Sequence, residues 1–338
     1  MITAELAKTA RAALSPVDAL FALVADDMLA ADAVIHDRMS SAVALIPDLS
    51  RHLIDSGGKR LRPMLTLAAA QACGYAGENH VKLAAAVEFI HTATLLHDDV
   101  VDASALRRGK IAANVVWGNK PSILVGDFLF SRAFELMVET GHLGVLGTLS
   151  RASSVIAEGE VMQLKSSNNL STTEADYLAV VTAKTAALFA ASAEAGAQVA
   201  SASSAVISAF HDYGHNLGIA FQLVDDALDY SGREKQMGKA VGDDFREAKV
   251  TLPVILAYAR ADDEARRFWR RVIENGRQED GDLETAIAYV EASGAIRETG
   301  ARARAYADKA VRAVSKLAAP DIRDALIDIA EFCVERAY

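Results

Sequence analysis

Asp98-Asp99-Val100-Val101-Asp102 and Asp225-Asp226-Ala227-Leu228-Asp229 repeat one carboxylate pattern, each at the close of a long apolar stretch with helical spacing. On a helix, residues four apart share a face. Asp98 therefore stands over Asp102 and Asp225 over Asp229, with Asp99 and Asp226 on the shoulders. Each set forms a carboxylate claw. Stacked like charges destabilise a helix, so a chain that stacks them twice at the edge of its core calls for cations. Oxygen-only ligands suit Mg²⁺, which keeps several waters and bridges one or two carboxylates to substrate phosphates. A solvated acidic helix end accounts for one such run; the matched pair favours metal, with Asp98, Asp99, Asp102, Asp225, Asp226 and Asp229 as candidate ligands.

The basic residues nearby indicate what a metal there would hold. Gly57-Gly58-Lys59-Arg60-Leu61-Arg62-Pro63 sets three cations and two glycines just before a predicted helix. Helix N-termini attract anions, and arginine grips phosphate bidentately; a solvated basic loop is the plain alternative. Arg107-Arg108 follows the first claw closely, as a phosphate ligand or as a helix C-terminal cap. Lys184-Thr185 interrupts an apolar run from Val180 to Phe189, where a lysine is expensive unless it snorkels or meets an anion. Gln222 lies three residues before Asp225 on the same helix. Lys239, Asp243, Asp244 and Lys249 populate the loop after the second claw, a mixed-sign lid or a solvated loop.

These groups need long helices to carry them. The 338 residues are 51% hydrophobic and rich in alanine, with six prolines, a composition that predicts an all-α protein. Helices are expected over 16–47, to Ile54 after a break at Pro47, from Pro63 to Cys73-Gly74, over 78–102, 121–140, 144–166, 173–200 and 204–230, then shorter ones over 251–338. Arg107-Arg108-Gly109 and 231–249 are expected loops, and no segment alternates as a strand does. Without a linker or a composition shift, the expectation is one domain over 1–338, its core from about residue 16, in which two helical halves face a shared cavity. A net charge of −10 and a pI near 5.3 argue against a nucleic-acid surface. Two cysteines, Cys73 and Cys333, fit a reducing cytoplasm. Acidic residues at 5, 18, 26 and 27 argue against a signal peptide, and 177–200, broken by Lys184 and Glu194, reads as a buried core helix.

Gly57–Pro63, His91–Asp102, Arg107-Arg108-Gly109, Gly126-Asp127-Phe128-Leu129, Lys184-Thr185, Phe221–Asp229 and the stretch from Gly238-Lys239 to Pro253 together resemble the trans-isoprenyl diphosphate synthases. The likeness runs in the family's motif order from about residue 16 to the end. It is nearest to the octaprenyl and decaprenyl diphosphate synthases that make ubiquinone side chains. One departure is Ala248, where the family usually has glycine. The resemblance implies the class I isoprenoid synthase fold, a barrel of antiparallel helices around a central cavity, and a homodimer; the composition itself reads as a soluble protein that meets a membrane only to release product. It implies that Asp98 and Asp102 hold two Mg²⁺ ions on the allylic diphosphate, while Asp225 helps hold a third. Arg107, Lys184, Thr185, Gln222 and Lys239 would contact that substrate, with farnesyl diphosphate as the primer. Lys59, Arg62, His91 and Arg108 would bind isopentenyl diphosphate.

The chemistry expected is metal-assisted ionisation of an allylic diphosphate, attack by the double bond of isopentenyl diphosphate, and proton loss. Ala93 and Thr94 lie about one turn, ~5.4 Å, below Asp98. Both are small, which in this family lets a growing tail pass; a long product is expected, against a farnesyl or geranylgeranyl alternative. Three other readings compete. A His-Asp phosphohydrolase leaves the second claw unexplained. A class I terpene cyclase lacks the basic loop and carries a different second metal motif. A regulatory subunit would have lost one of these motifs.

Overall fold

The structure, a computed structural model, describes residues 14–54, 57–231 and 242–335. Ser15 caps α1 (Pro16–Leu23) by accepting the Asp18 N–H, with Pro16 in the first helical position. The chain kinks at Val24 into α2 (Ala25–Arg38), so the expected single helix over 16–47 is corrected to two that end nine residues earlier. Pro47 is no break. It sits in the first turn of α3 (Leu45–Ile54), where a helix has no use for its missing N–H. Pro63 does the same in α4 (Leu61–Ala72).

α5 (Asn79–Val101) carries the first claw. The segment after it, expected as a loop, is a small hairpin, with β1 (Leu106–Arg107) antiparallel to β2 (Lys110–Ile111). Its two-residue turn, Arg108-Gly109, has positive φ at both positions, the geometry that matches strand twist. Then come α6 (Ala113–Trp117), α7 (Asn119–Glu139), α8 (Leu143–Ser166), α9 (Glu174–Val199) and α10 (Ser204–Asp229), which carries the second claw. A short α11 (Asp243–Arg246) precedes α12 (Leu252–Ala259) and α13 (Asp263–Trp269). α14 (Asp282–Ala292), α15 (Ala295–Val314) and α16 (Pro320–Glu335) complete the fold.

α9 is the hub. It packs on α4, α5, α8 and α10, while α10 lies along α15 and α5 along α7. Two apolar clusters meet on it. One holds Phe189, Phe210, Leu217 and Trp269; the other holds Phe89, Leu129, Leu149 and Leu188. Each such side chain, fully buried, stabilises the fold by about 1.5–3 kcal/mol. Small residues let α9 be packed from several sides. A side chain at Gly196 would collide with the Thr66 carbonyl of α4, and the Thr66 hydroxyl donates to the Ser192 carbonyl at 2.9 Å. By length and composition α9 could cross a membrane, but here its apolar surface is spent on the other helices, as its interrupting charges suggested.

Candidate functional site

The site is organised by an irregularity inside α9. A capping box of Thr173 and Asp176 starts this helix, and one π-turn, Thr182–Ala186, widens it. Such bulges are rare and cluster at functional sites. Here the extra residue aims two neighbours at different helices. Lys184 Nζ donates to Glu160 Oε2 and Gln163 Oε1 of α8, both at 2.7 Å, and Thr185 Oγ1 donates to Gln222 Oε1 of α10 at 2.9 Å. Glycines make room for the bulge on both sides. A Cβ at Gly159 of α8 would stand 2.7 Å from Ala183 Cβ, and one at Gly218 of α10 would stand 2.7 Å from Ala186 Cα.

At the first claw the three carboxylates differ. Asp99 is fully buried and receives Arg107 through Nε at 2.8 Å and Nη2 at 2.5 Å, while its backbone carbonyl accepts Asn114 Nδ2. Asp102 accepts Lys249 Nζ at 2.9 Å. Burial pushes the Asp98 carboxyl up to about 7; Lys184 opposes the shift, while Glu160 and Asp102 add to it. His91, Thr94, Leu95, Asp98 and Asp102 are partly open and share one face of α5. Ala93 is fully buried in the apolar cluster that includes Leu129 and Ala133 of α7, and the Thr94 hydroxyl is turned onto the His91 carbonyl.

The second claw divides its labour in the same way. Asp226 accepts Tyr177 OH at 2.5 Å and Gln222 Nε2 at 2.7 Å. Asp229 accepts the backbone N–H groups of Gly242, Asp243 and Asp244 at 3.0–3.2 Å. Burial raises Asp226 to about 7 and Asp229 to about 6, even though these bonds pull both down. Asp244 is driven well above its ordinary range by burial and by Asp226 and Asp229. Lys249 ties the loop that follows the second claw to Asp102 of the first. Burial disfavours its charge, but Asp102, Glu247 and Asp244 outweigh that and hold the ammonium above its ordinary range.

A separate basic cluster lies lower on α5. Arg62 Nη1 is 3.2 Å from His91 Nε2, and its guanidinium stacks 4.3 Å from the centre of the Phe189 ring. Burial brings Arg62 down to about 10 and, aided by Arg62 and Arg108, holds His91 well below its usual value. Glu88, buried one turn before His91, is raised by burial and pulled back by Arg60, Arg108 and Arg62. Arg108 donates to the Gly57 carbonyl and Arg60 pairs with Asp32. Lys59 stands apart, 5.3 Å over the Phe332 ring of α16, on a cleft of about 400 Å³.

The structure thus gathers Asp98, Asp102, Lys184, Thr185, Gln222 and the second claw into one neighbourhood, and Arg62, His91 and Arg108 into another. It gives Asp99, Asp226 and Asp229 internal partners. Lys239 lies outside the described residues. Sequence reasoning missed Glu88, Glu160, Gln163 and Tyr177. Helical spacing offered a signal for two of them: Glu88 is three residues before His91, and Tyr177 is seven before Lys184. Among the described residues no three His, Cys, Asp or Glu side chains are grouped closely enough to form a metal centre alone. The donor set still fits Mg²⁺, which takes one or two carboxylates and completes its shell with water and phosphate. Burial leaves the Asp98 carboxyl raised to about 7 in spite of Lys184, and a divalent ion beside it would favour its charged form.

This arrangement, an all-helical box holding two carboxylate claws beside a buried basic cluster, defines a class of protein that handles anionic substrates away from water. The polyprenyl synthetase family model matches residues 43–290. Octaprenyl diphosphate synthase of Escherichia coli (strain K12) is 46% identical over 93% of this chain and 97% of its own length. A polyprenyl synthase from Caulobacter crescentus CB15, solved with calcium and isoprenyl diphosphate, superposes with a TM-score of 0.92 at 54% identity, over 95% of this chain and 98% of that one. A decaprenyl diphosphate synthase from Rhodobacter capsulatus superposes with a TM-score of 0.91, also at 54% identity, over 95% and 99%. The chain belongs to the polyprenyl synthetase family. It is a prenyltransferase of all-α fold.

Proposed function

We propose that this prenyltransferase is a long-chain trans-polyprenyl diphosphate synthase. With Mg²⁺ it joins isopentenyl diphosphate head to tail onto an allylic diphosphate primer, farnesyl diphosphate, and builds an octaprenyl or decaprenyl chain for a ubiquinone side chain. The observation that carries this reading is the double use of α5. His91, facing Arg62, and Asp98, in the first claw, are seven residues apart on one face, about 10 Å along the axis. A basic subsite and a carboxylate subsite at that spacing suit two diphosphates whose carbon ends must meet. The names of the E. coli and R. capsulatus relatives support the long product. The calcium and isoprenyl diphosphate in the C. crescentus structure support divalent-metal dependence.

Asp98, Asp102 and Asp225 would hold the metal; Asp99, Asp226 and Asp229 fix the helix ends that present them. Bound Mg²⁺ supplies Lewis-acid charge to the leaving diphosphate. Lys184 and Thr185, aimed by the π-turn, hold the allylic diphosphate with Gln222. Arg62, His91 and Arg108 hold isopentenyl diphosphate, and the apolar walls keep water from the allylic cation. Orientation of two reactants in this way lowers the barrier by several kcal/mol, of the ~7–11 kcal/mol available to well-oriented reactions. The released diphosphate is the acceptor for the departing proton. Exposed apolar residues on α7 (Leu124, Phe134, Val138) and α8 (Leu143, Val161, Leu164) favour a homodimer through these helices; sedimentation at micromolar concentration tests it, and a monomer refutes it. The activity is tested by incubating purified protein with farnesyl diphosphate, labelled isopentenyl diphosphate and Mg²⁺, then sizing the extracted lipid. Diphosphate release that needs no isopentenyl diphosphate would refute chain elongation, and lipids no longer than geranylgeranyl would refute the long product.

A further inference from the structure

Lys249 occupies an unusual position for a loop lysine. Its ammonium lies 2.9 Å from Asp102 Oδ2 and 2.5 Å from Glu247 Oε2, with less than a quarter of the side chain exposed. The backbone that carries it is pinned. The Lys249 N–H donates to the Asp244 carbonyl at 2.9 Å, the Ala248 carbonyl accepts the Asn168 N–H at 3.3 Å, and the segment's start is held on Asp229. A long side chain on a fixed backbone can move its charge without moving the loop. The two acceptors differ in kind. Asp102 belongs to the claw, whereas Glu247 belongs to the same loop as the lysine.

We propose that Lys249 is a tethered counter-cation that neutralises Asp102 until a divalent ion arrives, and that Glu247 receives the ammonium when the ion takes its place. The proposal rests on the reading of Asp102 as a metal ligand. An ammonium and a divalent cation on one carboxylate repel each other and divide its negative charge, so each weakens the other's hold on it, and the coupling is reciprocal. The exchange keeps the first claw from standing uncompensated between turnovers, when buried like charges would strain α5. It also leaves the lysine paired with Glu247 instead of expelled into solvent.

The test is Mg²⁺ binding measured by titration calorimetry on the full chain without any diphosphate. Lys249→Met should bind Mg²⁺ about tenfold tighter than the unaltered protein, a typical coupling between competing ligands. Glu247→Gln should bind it more weakly, because the displaced ammonium loses its second acceptor, and that loss should vanish in the Lys249→Met background. In an Asp102→Asn background, Lys249→Met should change the residual affinity by less than twofold. A gain that persists there marks a long-range field in place of direct competition and overturns the proposal, as does equal or weaker binding by Lys249→Met. If Lys249→Met fails to fold, the same question is put to Glu247→Gln, for which unchanged or tighter binding overturns it. Absence of any Mg²⁺-dependent prenyl transfer by the unaltered protein, with these affinities as expected, would instead sink the functional assignment.

Discussion

Replacing Gly218 by alanine puts the packing around the π-turn under direct test. The new Cβ would stand 2.7 Å from Ala186 Cα and 3.2 Å from both Ala186 Cβ and Phe189 Cβ. Carbon atoms prefer about 3.5–4.0 Å, so α10 must retreat from α9 by about 1 Å. Overpacking of this kind costs about 1–3 kcal/mol. The Thr185–Gln222 bond, now 2.9 Å and one turn further along α10, stretches beyond range, which costs about 0.5–1.5 kcal/mol more. Helix propensity returns about 1 kcal/mol for glycine to alanine. The net expectation is a loss of about 0.5–3.5 kcal/mol, or up to several degrees in thermal midpoint. The activity should fall further than the stability, because a ~1 Å displacement of a positioning group can cost about a hundredfold in rate. Gly147→Ala on α8 is the control: its Cβ meets only the mobile end of Arg151, at 3.3 Å, so propensity should dominate and the melting temperature should rise slightly. Differential scanning calorimetry and prenyl-transfer kinetics on both variants decide the matter. If Gly218→Ala melts higher, as the control does, and keeps full activity, the close approach of α10 to the bulge is not what places Gln222.

Removing Asp99 and removing the charge of Asp98 should act in opposite directions. Asp99→Ala strands Arg107 with its buried partner gone and should cost about 3–5 kcal/mol by urea unfolding, whereas Asp98→Asn relieves a crowded carboxylate and should raise the metal-free melting temperature while abolishing activity. A His211–Glu194 pair, Nδ1 to Oε2 at 3.0 Å, links α10 to α9. Its bond to Glu194 raises His211 above its ordinary value, so its contribution is complete below about pH 6.5 and fades as pH rises through the raised value. With about half of His211 exposed, that contribution is worth about 0.5 kcal/mol, and His211→Gln should remove that share of the drop in urea midpoint between pH 6 and 9, leaving the larger share that the raised Asp98 and Asp226 carboxyls lose as pH climbs through about 7. Ala93→Tyr should shorten the lipid product toward farnesyl and geranylgeranyl lengths and destabilise the protein by about 1–3 kcal/mol through overpacking; an unchanged product distribution places the end of the tail path elsewhere.

The sequence showed which residues carry charge to the site but not which of them are already engaged. Spacing sets Asp98 over Asp102 with Asp99 on the shoulder, yet leaves all three as candidate metal ligands. The partner that separates them, Arg107, is reached only after the hairpin folds back, and that hairpin depends on Arg108 adopting positive φ, a choice with no compositional signal. Tyr177 and the 242–244 backbone do the same for Asp226 and Asp229. The helices were legible because alanine and apolar periodicity are local properties. Their boundaries were less so, since Pro47 reads equally well as a terminator or as a first-turn residue. The π-turn was invisible, because a 3.6-residue period has no term for one inserted residue, although the cost of Lys184 in an apolar run marked the place.

Ala248 shows how a departure from a family pattern is resolved by geometry. It has φ of +50°, the left-handed region in which glycine is unstrained and an L-residue costs about 1–2 kcal/mol. That explains why glycine is the usual residue between Glu247 and Lys249. Alanine offsets the strain in two ways. Its unfolded chain has less freedom than glycine's, worth about 0.4–1 kcal/mol, and its methyl group lies in the buried apolar cluster under the second claw, worth about 0.8 kcal/mol. The sum is close to zero, so the loop keeps its shape. The Ala248 N–H still reaches the Phe245 carbonyl at 3.0 Å, and the Lys249 N–H still reaches Asp244. The departure therefore leaves the position of Lys249 against Asp102 intact, which is the property of this loop on which the first claw depends.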